Sequence, residues 1–194
     1  MKTGFDELDE VIADDWTVEF FSINARLIFS FYHRVIVESA PVNVLVVGER
    51  GGLDPYLLIQ IARAIGRESV EEGLIIRRAF NAEDVPPSIE SFDGDLVIID
   101  PYHHNKLQDR VASAIKERGG KTFLFSFGDR RRFGSVFGWH VASSVIELKE
   151  VEGGFKARLI KSPSHPEVEL AFSSVFWRAE DGLSRWLAKP LKEA

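Results

Sequence analysis

The chain has 194 residues, of which 45% are hydrophobic and 28% charged, and this composition predicts one folded domain with a substantial core. It contains no cysteine, which excludes disulfides, thiol catalysis and cysteine-ligated zinc or iron–sulfur centres. The net charge of −6 has the wrong sign for a protein that binds nucleic acid through its whole surface. The acidic start and the lack of an apolar run of ~20 residues predict no secretory signal and no membrane span, so we expect a cytoplasmic protein.

Strand-like and helix-like segments alternate along most of the chain. Runs of apolar and β-branched residues predict buried strands, and apolar residues three and four apart predict helices. Asn24 and Asp54 are suited to cap a helix, and Asp54 is followed by Pro55. The predicted strands are 17–21, 43–48, 74–76, 95–100 and 121–127; the predicted helices follow Asn24, Asp54 and Asn105; and Pro86–Pro87 marks a predicted loop.

From Ser143 the pattern becomes that of an antiparallel hairpin. Residues 144–151 and 155–160 flank a Glu-Gly-Gly turn, and a further strand is predicted within 168–178. The whole order predicts an α/β fold, with a mostly parallel central sheet, helices on both faces and an antiparallel C-terminal hairpin. We expect residues 1–186 to form a single domain and the charged tail 187–194 to fray.

Five short segments carry motifs in a fixed order. They are Thr3–Glu10, Gly48–Pro55 with Ile59–Ala62, Arg77–Asn81, Leu96–Asp100, and Lys156–Glu167 with Phe172 and Glu180–Gly182. In this order they resemble the ATPase core of RecA-family recombinases, most closely the archaeal RadA and RadB type. The resemblance implies a RecA-like P-loop NTPase fold. We expect a bare core without the family's N-terminal domain and polymerising linker, and therefore a monomer or small homo-oligomer.

ATP hydrolysis on this fold needs a glycine-rich loop, a lysine and a Ser/Thr that binds magnesium. The corresponding segment, 22–29, contains no glycine, and Ile28 and Phe29 take the lysine and Ser/Thr positions. The resemblance therefore implies a degenerate Walker A motif. With a shorter loop, Arg26 would be the residue near the phosphates.

Two acidic residues match catalytic positions of the family. Asp100 corresponds to the Walker B aspartate, and Glu49 to the glutamate that polarises the attacking water. The alternative is that both are strand-end carboxylates at the sheet edge where ligands bind. Because the phosphate loop is lost, we predict that Glu49 and Asp100 are vestigial and that no cofactor is bound.

Two other groups of side chains have simpler explanations. His103 and His104 are adjacent, would point in opposite directions on a strand and have no cysteine to complete a zinc set, so we predict no metal site. Phe123, Phe125 and Phe127 alternate along one strand and are predicted to belong to the core.

The leading hypothesis is a catalytically inactive RecA-like paralog that acts as an accessory or regulatory binding module. Its partner would be a protein in DNA recombination or repair, and a recombinase is the candidate. One alternative is a divergent ATPase that binds ATP and magnesium through Asp100, Glu49 and Arg26. Another is a KaiC-like signalling homo-oligomer that is unrelated to DNA.

The second DNA-contacting loop of the family corresponds to residues 128–138. Three consecutive arginines, Arg130, Arg131 and Arg132, precede Phe133 in this segment. Arginines neutralise phosphates and an aromatic ring stacks on unpaired bases, so the segment predicts weak binding of single-stranded DNA. The alternative is a solvated loop whose arginines pair with the acidic excess of the chain.

Replacing the three arginines by alanine is expected to abolish this binding. In the wild type the log–log salt slope should be near −2, because each neutralised phosphate contributes about −0.7 on single strands. Phe133→Ala should weaken binding and leave that slope nearly unchanged. Fluorescence anisotropy with a short labelled oligonucleotide measures both quantities, and no binding by the wild type at low salt would contradict the prediction.

Overall fold

The computed structural model of the chain describes residues 1–49, 52–67, 70, 73–104, 106–128 and 139–175, and all statements below concern these ranges. The strands are β1 (Thr17–Ser22), β2 (Val42–Val47), β3 (Leu74–Ala79), β4 (Leu96–Ile99), β5 (Thr122–Phe127), β6 (Ser144–Val151), β7 (Gly154–Lys161) and β8 (Glu169–Phe172). The helices are α1 (Asp6–Val11), α2 (Ala25–Ser39), α3 (Pro55–Ala64), α4 (Val85–Glu90) and α5 (Gln108–Glu117). Within these ranges no helix is long and apolar enough to cross a membrane.

The strands form one sheet in the order β3-β2-β4-β5-β1-β6-β7-β8. β1 lies between β5 and β6 and is parallel to both, and β2 is parallel to β3 and β4. β6, β7 and β8 pair antiparallel. The predicted parallel sheet with a C-terminal hairpin is therefore confirmed. Because the parallel strands run in one direction, the segments that follow β1, β2, β3, β4 and β5 all leave at the same edge.

Helix α2 packs on one face of the sheet through an aromatic cluster. The ring of Phe20 lies 5.2 Å from that of Phe31 on α2 and 5.3 Å from that of Phe125 on β5. Phe5 and Phe155 extend the cluster toward the hairpin, with 5.2 Å between their centroids. The predicted core positions on β5 are confirmed, since Phe123 and Phe125 are fully buried and Phe127 packs against the cluster.

Arg34 of α2 is also fully buried in this layer. Its guanidinium donates to the carbonyl of Gly4 at 2.8 Å, to the carbonyl of Val175 at 2.9 Å and to Glu38 at 3.2 Å. It also lies over the ring of Phe5, 4.4 Å from the centroid. A charge this deep is tolerated because it is paired and hydrogen-bonded. Arg34 thereby joins the first residues of the chain and the segment after β8 to helix α2.

The opposite face of the sheet is covered by α4 and α5. Val85, Ile89, Val111, Ala114 and Ile115 pack there, in one cluster with residues of β2, β4 and β5. Most of the predicted helix face on α5 is confirmed.

Three local predictions need correction. Pro86 and Pro87 are not a loop but form the first turn of α4, where a missing N–H leaves no bond unmade. Helix α5 begins at Gln108, after Leu107, whose φ is 58°. The predicted cap Asn105 lies outside the described residues, and so does the tail 187–194. Helix α1 was not predicted, because its six residues are too few to show a period.

Glu19 is a fully buried carboxyl on β1. Val18 and Phe20 face α2, so alternation along the strand directs Glu19 to the other face. Its Oε1 accepts a hydrogen bond from the Ser126 hydroxyl at 2.7 Å, and its Oε2 has no partner among the described residues. Burial raises the pKa of Glu19 to about 8, against smaller opposing effects of Ser126 and Lys161. Glu19 is therefore a neutral acid in the folded protein near pH 7.

Replacing Glu19 by glutamine is expected to change the pH dependence of stability. Because the pKa of Glu19 is about 8 when folded and about 4.5 when unfolded, its contribution is present below pH ~4.5 and declines as the pH rises to ~8, by up to about 1.4 kcal/mol per unit. His33 has the opposite effect below pH 6.5: burial lowers its pKa to about 4, so the free energy of unfolding rises with pH between about 4 and 6.5.

The clearest window for the Glu19 effect is therefore pH 6.5 to 8. Urea unfolding in this window should show a falling free energy of unfolding for the wild type and a flatter profile for Glu19→Gln. The same slope in both proteins would contradict the assignment of a neutral, buried acid.

Candidate functional site

The connection between β1 and α2 lies at the carboxyl edge of the parallel strands, where open α/β sheets usually bind ligands. It consists of only Ile23 and Asn24. The Asn24 side-chain oxygen accepts from the amides of Arg26 at 2.9 Å and Leu27 at 3.1 Å, which confirms Asn24 as the N-cap. The amides that begin a helix are the groups that bind a phosphate on such folds. Here the Asn24 side chain occupies the amides of Arg26 and Leu27.

A carboxylate also lies at this helix N-terminus. The Asn24 side-chain amide donates to Glu150 near the end of β6, and the Asn24 backbone amide donates to the Ser22 hydroxyl at 3.1 Å. The negative charge of Glu150 stands where an incoming phosphate would be repelled. Arg26 is exposed at the first turn of α2, and Ile28, in the lysine position, is fully buried in the core.

Asp100 follows β4 at the same edge. Its backbone has a φ of 55°, a left-handed conformation that non-glycine residues adopt at some energetic cost. The carboxylate is buried, and its Oδ2 lies 3.0 Å from Nδ1 of His103. The His103 ring lies against Gly48 after β2, so that a Cβ at Gly48 would be only 2.3 Å from it. Asp100 is therefore paired with a histidine whose ring packs against Gly48 at the end of β2.

The described site residues Arg26, Glu49 and Asp100 follow three different strands of the sheet. Glu49 and Asp100 follow β2 and β4, which are neighbours in the sheet, and Glu49 is exposed whereas Asp100 is buried. Arg26 follows β1, which is separated from β4 by β5. The run Arg130–Arg132 and Phe133 lies outside the described residues. Gly128, the last described residue directly after β5, donates its amide to the Ser22 carbonyl at 2.7 Å.

His103 and His104 lie in turns rather than on a strand. The expectation that they point in opposite directions is wrong, because their ring centroids are 4.9 Å apart in an edge-to-face arrangement. In the described part of the chain, no group of three or more histidine, aspartate or glutamate side chains is placed to hold a metal ion.

An apolar groove at the opposite margin of the molecule was not predicted. It measures about 430 Å³ and lies between α3 and the edge strand β3. Its apolar lining residues are Leu53, Pro55, Leu58, Ile59, Ala62, Val70, Leu74 and Ile76. The sequence shows 74–76 as an apolar run, but Ile75 and Ile76 are 62% and 52% exposed. The signal for an exposed edge was the Arg77–Arg78 pair, because charges blunt edge strands.

Asp100→Asn tests whether any nucleotide chemistry remains at this edge. We expect the wild type to show no specific binding of ATP with magnesium, because the amides at the start of α2 are occupied by Asn24 and Glu150 adds a negative charge. Titration calorimetry at millimolar ATP measures this directly. Micromolar affinity in the wild type that disappears in Asp100→Asn would contradict the prediction.

Comparison with known proteins bears on the fold. No family model matches the chain, and no curated protein matches it. Among solved structures, it is similar to a crystal structure of the RadB recombinase, with a TM-score of 0.66 and 16% sequence identity over 89% of this chain and 94% of that chain. Likeness at this level of identity shows the fold. The predicted RecA-like core, similar in structure to RadB, is therefore confirmed.

Proposed function

We propose that this chain is a RecA-like binding module that does not hydrolyse ATP and that binds a protein partner through β3 and the groove beside it. The observation that carries the proposal is an apolar groove next to an edge strand with two exposed isoleucines. The likeness to a RadB recombinase supports a partner in DNA recombination or repair, and a recombinase is the partner we propose.

Strand β3 offers backbone groups for strand addition. It pairs with β2 on one side and ends the sheet on the other within the described residues. The N–H and C=O groups on the outer side of an edge strand are a template for an extended segment of another chain. An added strand would satisfy those groups and would place every second side chain over the groove.

The groove supplies the apolar part of such a contact. Leu74 and Ile76 of β3 face the same side as Leu58 and Ile59 of α3. Arg67 fixes one end of the groove, because its guanidinium donates to the carbonyls of Glu38 at 2.8 Å and of Ala40 at 3.2 Å. The groove walls are therefore held by hydrogen bonds as well as by packing.

The surroundings of the groove are basic. Arg63 and Arg67 line the groove, and Arg78 is exposed on the same face of β3 as Ile76. Charge complementarity favours a partner segment that carries acidic residues beside its apolar side chains. The segment that fits is thus extended, with an apolar side chain for the groove and carboxylates for the rim.

The geometry at the start of α2 supports the absence of ATP hydrolysis. The Asn24 side chain and Glu150 occupy the start of α2, where a phosphate would bind. Asp100 is paired with His103. The DNA-binding role of Arg130–Arg132 stays a separate prediction from the sequence.

Ile76→Glu is expected to weaken partner binding at least about tenfold, because the carboxylate replaces an apolar contact of the groove and repels the acidic residues of the partner segment. Ile75→Glu is the matched control, since Ile75 lies on the same edge strand but points to the other face of the sheet. Calorimetry with the recombinase of the same organism measures the two affinities, and light scattering checks that both variants keep the oligomeric state of the wild type.

A Kd that is the same for Ile76→Glu and for the wild type would contradict the groove as the docking site. No heat of binding at recombinase concentrations of about 100 μM would contradict the proposed partner.

Light scattering of the free protein is expected to show a monomer or a small closed oligomer, and long polymers would contradict that expectation.

A further inference from the structure

A second cleft lies at the carboxyl edge of the sheet, away from the start of α2. It measures about 430 Å³ and lies between the segments that follow β3 and β4. Its lining residues are Phe80, Asn81, Ala82, Glu83, His103, His104 and Lys106. Ligands of open α/β sheets bind at this edge, and clefts of roughly 300–1,000 Å³ are the usual size for small molecules. The β3 groove shares none of these residues.

The floor of the cleft is built by the turn after β4. The left-handed backbone of Asp100 redirects the chain at the end of the strand, and the His103 amide donates to the Asp100 carbonyl at 3.0 Å. The Asp100 carboxylate holds Nδ1 of His103 at 3.0 Å, and the absent side chain of Gly48 leaves room for the ring. The His103 imidazole is thereby fixed in one orientation before any ligand binds. Preorganisation of this kind favours binding, because less freedom is lost.

The cleft is richer in donors than in acidic groups. Lys106 contributes an ammonium group and His104 a ring nitrogen, His103 adds a second imidazole, and Glu83 is the one carboxylate of the lining. Nε2 of His104 is shielded from solvent and has no hydrogen-bond partner among the described residues. The Asp100 carboxylate is engaged by His103, and the described residues offer no three-ligand set for a metal. The chemistry of the cleft therefore suits an anion rather than a cation.

One wall of the cleft is an exposed aromatic ring. Phe80 is 61% exposed, and the Arg78 guanidinium lies 5.6 Å from its centroid. An exposed phenylalanine offers a flat surface on which an apolar ring can stack, and the cationic groups beside it can attract a negative charge that the same ligand carries.

We propose that this cleft binds small phosphate esters that carry a flat apolar group. The phosphate lies at His103, His104 and Lys106, and the flat group lies on Phe80. This site does not use the start of α2, and it does not depend on the partner proposed for the β3 groove.

Phenyl phosphate and inorganic phosphate are the probes, with the full chain followed by NMR of the histidine ring protons. Both anions should shift the signals of His103 and His104 and leave those of His140 and His165 in place. Lys106→Ala should raise both dissociation constants about tenfold, because one charge-assisted contact is lost. Phe80→Ala should raise the constant for phenyl phosphate only, and Lys116→Ala, on α5, is the control that should change neither.

Three outcomes would overturn the proposal. One is an equal dissociation constant for the wild type and Lys106→Ala. Another is a shift of His140 and His165 as large as that of His103 and His104, which would show general pairing of anions with exposed histidines. The third is a lack of any shift at millimolar concentrations of both probes.

Discussion

The buried guanidinium of Arg34 is the interaction on which the arrangement of α2 depends. It binds the carbonyls of Gly4 and Val175, which lie at opposite ends of the described chain. A buried charge without these partners would be strongly unfavourable, so both segments must be in place when α2 packs on the sheet. The guanidinium lies over the ring of Phe5, and Phe5 in turn stacks on Phe31 of α2. The position of α2, and with it the position of its first turn at Asn24, follows from this packing.

A helix held in that position by a two-residue connection leaves little space at the end of β1. The free amides of its first turn are taken by Asn24, and Glu150 brings a carboxylate to the same place. The fold is RecA-like, and the chemistry at the start of α2 is set by these two side chains. Fold alone does not determine activity.

The surfaces proposed for binding lie on the side of the sheet formed by β2, β3 and β4. The β3 groove is apolar with a basic rim, and the cleft beyond β3 and β4 is polar with an aromatic wall. The two differ in chemistry, and they suit different ligands: an extended protein segment for the groove and a small anion for the cleft. Hydrogen bonds fix the local geometry of both surfaces. Arg67 holds one end of the groove, and the Asp100–His103 pair holds the histidine of the cleft.

The sequence by itself determined what depends on neighbouring residues. Runs of β-branched residues specified the strands, and Asn24 and Asp54 specified the starts of two helices. The motif order pointed to the RecA-like core, and the residues of 22–29 led to the prediction of a degenerate Walker A motif. Asp100 and Glu49 could be placed at one edge, because parallel strands end together. Tertiary structure alone decided that Glu19 is buried as a neutral acid and that His103 turns back onto Gly48. These features depend on strand order and on contacts between residues far apart in the chain, and local sequence patterns carry no information about them.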